Sequence, residues 1–313
     1  MSDAAVSSFR RAGYRLLGSR FDYLLHTRPA EWPIMAAHTA LGYVLAVGLA
    51  GVATGVSLGA ALLGLALWVV FLNGGTLAIN SAFDKDEGDI GYLRQPPPVP
   101  SHLFDFGMAM LLAGGAISLL LPRAFTAAYG ICFVMSVVYS VPPFRFKAVA
   151  GMDWLINMIG FGALTPYAGW ALTGRPLDRP ALLVFAAFAP LFAALYPLTQ
   201  IYQFEEDRRR GDRTLALMLG ERASLLLAVG AAAVAFGLFA VAGMGRGWLM
   251  LAPGGGWRAG LLGVAFVTWM VVLLPWLFRC HTMTPAQHQR GMYAALGAWA
   301  VTDLAIALGF GLG

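Results

Sequence analysis

Apolar residues run along this chain in blocks of about twenty, separated by short polar stretches, with no sustained alternation of apolar and polar positions. A hydrocarbon layer of roughly 30 Å needs about 20 apolar residues per crossing helix. The blocks predict nine such helices, near 33–55, 58–80, 103–121, 124–141, 153–173, 181–203, 223–243, 259–278 and 290–311. Some neighbouring blocks are divided only by Gly or Pro, so eight or ten spans fit the same pattern. Helices are the expected element because bare backbone amides cannot face lipid, and no ten-residue alternating segment suggests a barrel. The expected fold class is an all-α integral membrane protein of about nine transmembrane helices. Residues 1–32 read as a basic N-terminal segment, and 33–313 as a single polytopic membrane domain.

Composition agrees. The 313 residues are 59% hydrophobic and only 12% charged, with a mean hydropathy of +0.70, whereas a soluble domain carries about 25% charged residues. The lipid bilayer is therefore the first partner, and no nucleic acid is expected. With the N-terminus inside, sixteen of the twenty-one Lys and Arg residues fall on cytoplasmic segments, as the positive-inside rule requires. That orientation predicts a multi-pass protein of the inner (cytoplasmic) membrane. The N-terminal segment lacks the apolar core and cleavage site of a signal peptide. Its Arg10, Arg11, Arg15 and Arg20 suit an amphipathic stretch on an anionic leaflet. Cys132 and Cys280 lie in separate spans or span ends and read as packing residues.

Charge changes the picture most where it gathers. One cluster, Asp84, Lys85, Asp86, Glu87 and Asp89, follows Asn80 at the end of the second span. The other, Glu205, Glu206, Asp207 and Asp212, follows Gln203 at the end of the sixth. Together they hold eight of the sixteen carboxylates, and the orientation above puts both on the cytoplasmic face. Hard divalent cations prefer oxygen ligands, and Mg²⁺ binds through one or two carboxylates plus phosphate oxygens. Asn80 and Asp84 are four apart and share one helix face. Tyr196, Gln200, Gln203 and Asp207 form a polar stripe at spacings of four, three and four, which should face the bundle interior. Arg94 precedes a run of three prolines that no regular helix can hold.

After the fourth span comes a segment with Tyr139, Ser140, Pro142, Pro143, Arg145 and Lys147. In an extended chain Arg145 and Lys147 would point the same way, offering cations to a polyanion beside the acidic clusters. Asp153 and Asn157 lie four apart at the start of the fifth span, placed either to contact an acceptor or to orient Lys147. His38 and Asp303 are polar groups inside spans and either serve function or satisfy neighbouring helices.

Asn80 and Asp84 with nearby acids, Arg94 before prolines, the Tyr139-to-Lys147 element, and Asp207 five residues ahead of an Asp-Arg-Thr-Leu-Ala element at 212–216 resemble the UbiA superfamily of intramembrane prenyltransferases. The resemblance covers residues 28–310, and the Tyr-Ser-x-Pro-Pro element is similar to that of chlorophyll synthases. It implies nine helices around a central cavity and two aspartate-rich motifs that bind diphosphate through Mg²⁺. Ser81 stands where many members have Asp, Gly88 where an acid is expected, and Gln203 where the second motif begins with Asp.

The resemblance carries catalytic roles to Asn80, Asp84 and Asp207. Metal contacts are divided among Asn80, Asp84, Asp207 and the open set Asp86, Asp89, Gln203, Glu205 and Glu206. Lys85, Arg94, Arg145 and Lys147 would meet the substrate diphosphate. Tyr139, Ser140, Asp153, Asn157, Tyr196 and Gln200 are candidates for the acceptor or the cavity wall. The implied reaction ionises an allylic isoprenyl diphosphate with Mg²⁺ and transfers the prenyl group to a lipophilic acceptor. Two other readings stand beside it: a terpene cyclase that uses the same ionising site, and a secondary transporter of an anionic lipid or cation, whose sign would be transport without diphosphate release.

Overall fold

The computed structural model describes residues 8–84, 90, 93, 95–248 and 256–312, and every regular element among them is helical. A short basic helix, α1 (Ser8–Leu17), and α2 (Phe21–His26) precede α3 (Trp32–Ala53). Helices α4 (Leu58–Ala66) and α5 (Gly74–Asp84) are joined through a π-helical stretch, Leu67–Asn73, into one rod. Next come α6 (Leu103–Ser118) and α7 (Arg123–Ser140). A second broken rod comes after them, α8 (Met152–Asn157), the π-helical Met158–Leu164 and α9 (Thr165–Ala171). The chain ends with α10 (Arg179–Gln200), α11 (Phe204–Arg210), α12 (Leu215–Met244), α13 (Gly256–Arg279) and α14 (Pro285–Gly311). Among the described residues, seven helices are long and apolar enough to cross a membrane. Leu103–Ser118 is a shorter apolar helix, and residues 152–171 run in three pieces, so seven of the nine expected spans have a helix of spanning length. This is a multi-pass membrane protein.

Two boundaries differ from hydropathy in an instructive way. The first rod continues past Asn80 to Asp84, and α12 starts eight residues before its predicted span. Hydropathy registers only the lipid-crossing length, whereas these polar turns are held by partners on neighbouring elements. Thr214 Oγ1 caps α12 by accepting from Leu217 N at 3.4 Å, which gives one of the orphan helix-end donors a partner. The expected extended segment at Arg145–Lys147 is not extended. Arg145 has φ 39° and Phe146–Ala148 forms a 3₁₀ turn.

Helix α10 is the central element, buried by α12, α14 and the second π-helical stretch. Around it lies a core with Phe188, Leu191, Phe239, Trp269 and Trp299. A second core contains Leu67, Trp68, Leu111, Phe125 and Tyr129, and Phe161 and Tyr167 pack against both. Lipid tails are as apolar as leucine, so such contacts act through close packing rather than escape from water. Small residues set the tightest approach. A Cβ added at Gly42 of α3 would overlap the Pro166 carbonyl, and one at Gly169 of α9 the Thr39 carbonyl. His38 and Asp303, two of the intramembrane polar groups, meet each other. His38 Nδ1 lies 3.1 Å from Asp303 Oδ1, which ties α3 to α14.

Candidate active site

The two cores flank a cavity of about 440 Å³. The ends of α5, α7 and α10 meet the beginnings of α3, α8, α12 and α14 at its polar mouth. One wall is a stripe on a single rod: Asn73, Thr76, Asn80 and Asp84, at spacings of three, four and four. The π-helical stretch ends at Asn73, and its wider turn rotates the face that α5 presents. Trp68 Nε1 donates to Thr165 Oγ1 at 3.3 Å, and Thr165 Oγ1 in turn donates to the Gly160 carbonyl at 3.0 Å, so the two π-helical stretches support each other. Thr76 Oγ1 donates to Ser136 Oγ at 2.7 Å, fixing α5 against α7.

Cations reach the first wall from the loop after α7. Lys147 Nζ donates to Asn80 Oδ1 at 2.8 Å and pairs with Asp84. Arg145 lies between two carboxylates, 3.6 Å from Asp84 and 3.2 Å from Asp212. A left-handed backbone costs a non-glycine residue about 1–2 kcal/mol, and at Arg145 these two acids hold the side chain in place. Burial pushes the Lys147 ammonium down to about 7, against the opposing pull of Asp212. Ser140 is fully buried behind this wall, with its Oγ 3.5 Å from Asn80 Oδ1.

The facing wall is built locally. Gln200, Gln203, Glu206 and Asp207 all line the cavity, although a 3₁₀ turn at Ile201–Gln203 separates α10 from α11. Arg210 reaches Glu206 at 3.1 Å, Asp207 at 2.8 Å and Asp212 at 3.2 Å. Thr214 Oγ1 donates to Asp207 Oδ2 at 3.4 Å. Glu205 points elsewhere, pairing with Arg208 and Arg209 on the exposed side of α11.

Beneath the mouth, Tyr139 and Tyr196 join hydroxyls at 2.8 Å, and Gln200 Nε2 donates to Tyr196 Oη at 3.2 Å and to Asp153 Oδ2 at 3.1 Å. Asp153 also accepts from Gly151 N and Leu215 N. It is fully buried and off the cavity wall, bracing α8 against the start of α12. Asn157 lines the cavity and bonds back to the Asp153 carbonyl. Deeper still, Phe161, Phe192, Trp68 and Met135 make the lining apolar.

The structure thus brings together Asn80, Asp84, Tyr139, Arg145, Lys147, Asn157, Tyr196, Gln200, Gln203, Glu206 and Asp207, with Ser140 and Asp153 one layer behind. Lys85, Asp86, Asp89 and Arg94 lie outside the described residues. Sequence reading missed Arg210, which looked like a positive-inside anchor, and Asn73 and Thr76, whose helical spacing from Asn80 was the available signal. It also missed Arg28 and Glu31 on the cavity wall, paired at 3.7 Å.

The sequence model of the UbiA prenyltransferase family matches residues 39–302. Digeranylgeranylglyceryl phosphate synthase of Natronomonas pharaonis is 28% identical over 76% of this chain and 83% of its own. Lycopene elongase/hydratase of Haloferax volcanii is 29% identical over 66% and 68%. A UbiA homologue from Archaeoglobus fulgidus, solved with DMAPP and Mg²⁺, superposes with TM-score 0.66 at 22% identity, covering 93% of this chain and 98% of that one. The likeness to that structure is one of fold.

Proposed function

The chain belongs to the UbiA prenyltransferase family, and from the site we propose that it ionises an allylic isoprenyl diphosphate at the mouth and transfers the prenyl group to a lipophilic acceptor. The observation that carries this reading is the convergence of two acidic walls, Asn80 with Asp84 and Glu206 with Asp207, over an aromatic pocket. The donor set is one amide oxygen and three carboxylates, interleaved with Lys147, Arg145 and Arg210. Hard oxygen donors of this kind fit Mg²⁺. The ion would be held by Asn80, Asp84, Glu206 and Asp207, with Gln203 beside them. When bound, it supplies Lewis-acid neutralisation of the leaving diphosphate.

The chain's own groups divide the remaining work. Lys147 and Arg145 offer donors to diphosphate oxygens, where charge grows as the allylic C–O bond breaks, and such preorganised donors supply a large part of catalysis. Each must exchange a carboxylate partner for phosphate, so their pairing with Asp84 keeps them in position before substrate arrives. Phe161, Phe192 and Trp68 line the pocket and exclude water from the allylic cation, which aromatic rings stabilise. The acceptor attacks that cation and then releases a proton.

The acceptor's lipophilic character is supported by a second, almost wholly apolar cavity between α3 and α14. Ile34 and Leu296 line both cavities, so a thin apolar partition separates this second cavity from the reaction chamber. With the polar mouth on the basic side of the protein, we place that mouth at the cytoplasmic face of the inner membrane. Magnesium-dependent diphosphate release by the purified protein, given allylic diphosphates of two to four isoprene units with and without lipid extract, tests the assignment. Prenylated product only with extract supports transfer, cyclic hydrocarbon without it makes the protein a cyclase, and no release with any donor refutes the ionising site.

A further inference from the structure

Outside the cavity, a second group of chemically capable side chains meets where the start of α12 faces the turn between α13 and α14. One ligand atom from each of Glu221, Cys280 and His281 lies within 4.8 Å of the others. His281 Nδ1 is 3.8 Å from Glu221 Oε2. Cys280 is buried, and its thiol rests on the Leu277 carbonyl at 3.3 Å. Glu221 directly follows Gly220, whose φ of 77° bends α12 near its start.

Beside them is His288, 2% exposed, with Nε2 buried and without a hydrogen-bond partner. Trp276 Nε1 donates to His288 Nδ1 at 2.8 Å. An indole N–H only donates, so Nδ1 accepts and the neutral ring carries its proton on Nε2. That atom points at Glu221 Oε1 from 3.6 Å. The carboxylate is therefore divided, with Oε1 toward an orienting histidine and Oε2 toward His281. A carboxylate, an imidazole and a thiol thus converge on one point. Thiolate, imidazole and carboxylate are the donor set of zinc and similar borderline metals, and three protein ligands with an orienting group on one of them is a recurrent design.

We propose that Glu221 Oε2, Cys280 Sγ and His281 Nδ1 bind a zinc-type divalent cation, with His288 as the positioning residue for Glu221 and water in the fourth place. Cys280 binds as thiolate, its proton leaving to solvent. The site is chemically distinct from the all-oxygen set at the cavity mouth. It fastens the bend at Gly220 to the α13–α14 turn, and so steadies the segment that begins with Thr214 and Leu215 beside Asp207 and Asp153.

The test is metal analysis of the full-length protein in detergent after exposure to Zn²⁺ or Co²⁺ and removal of loose metal by a weak chelator. We expect about one Zn²⁺ per chain and, with Co²⁺, a thiolate-to-cobalt charge-transfer band. His281 is mostly exposed, so His281→Ala keeps the fold and should weaken binding on the order of tenfold or more. Cys280→Ala should abolish the charge-transfer band. Excess Mg²⁺ should displace neither signal. Absence of the band in wild-type protein, or equal zinc retention in wild type and both variants, would overturn the proposal.

Discussion

The two acidic walls of the cavity are neutralised by different logic. Asp84 is met by Lys147 and Arg145, which lie more than sixty positions along the chain on a separate loop. Glu206, Asp207 and Asp212 share Arg210, three or four residues away on α11 or two from Asp212. The first wall therefore exists only once α5 and α7 have packed, and its cations are free to exchange a carboxylate for a substrate oxygen. The second wall assembles within a few residues, and a single guanidinium serves three acids. Arg145, bridging Asp84 to Asp212, joins the two walls.

The largest effects should come from the acids themselves. Asp84→Ala and Asp207→Ala should each lower kcat by about 10²–10³, the loss seen when a charge-stabilising group is removed. Diphosphate release measured at saturating donor checks this, and a variant that retained more than half the wild-type rate would remove that residue from the reaction. The double variant should lose less than the product of the two single losses, because both acids serve one diphosphate.

The cations should then separate the walls. Arg210→Met leaves Glu206, Asp207 and Asp212 without their common partner, and the buried Asp207 loses a charge-assisted bond worth about 1.5–3 kcal/mol. We expect a lower thermal midpoint in detergent, partly recovered by millimolar-scale Mg²⁺ as positive charge returns. Lys147→Met should be milder on stability, since Arg145 still pairs with Asp84. It should instead raise the KM for donor by about ten- to a hundredfold, as a charge-assisted contact worth roughly 1.5–3 kcal/mol is lost. Equal stability losses in the two variants would erase the distinction between the walls.

A smaller effect belongs to Asp153. Its Oδ1 accepts from Gly151 N, and its Oδ2 from Gln200 Nε2 and Leu215 N. Asp153→Asn sets an amide N–H₂ against at least one N–H donor, which costs about 1–3 kcal/mol. Unfolding should show the loss while donor KM stays near wild type, since Asp153 is off the cavity wall.

Much of the fold was legible because lipid enforces a simple rule on helix length, and the acidic clusters were legible because a membrane protein rarely gathers charge. The pairing of Asn80 with Asp84 came from helical spacing alone. Arg210 was not legible, because an arginine after a span satisfies the positive-inside rule whether or not it holds an active site. Asn73 and Thr76 were marked only by their helical spacing from Asn80 within an apolar span, and neither π-helical stretch has a sequence signature that spacing reveals. Asp153 looked like a site residue because it is polar at a span end, but its role depends on Leu215, sixty-two positions away. Sequence shows where charge is costly, whereas only packing shows which partner offsets the cost.

The finest test of the local wall is Thr214. Its hydroxyl does two things at once, donating to Asp207 Oδ2 and accepting from Leu217 N at the start of α12. Thr214→Val keeps the shape and removes both bonds, so it should cost about 1 kcal/mol of stability, the usual value of a lost N-cap. Thr214→Ser keeps the oxygen and should restore most of that. Activity offers the sharper reading, because the cap and the Asp207 contact separate there. If Thr214 only caps α12, kcat should be unchanged in the valine variant at temperatures below its melting transition. If it also fixes the Asp207 carboxylate, the Mg²⁺ concentration giving half-maximal rate should rise severalfold in valine and return in serine. The second outcome is expected, since Arg210 is shared among three acids and, among the described residues, Thr214 is the other side chain that bonds the Asp207 carboxylate.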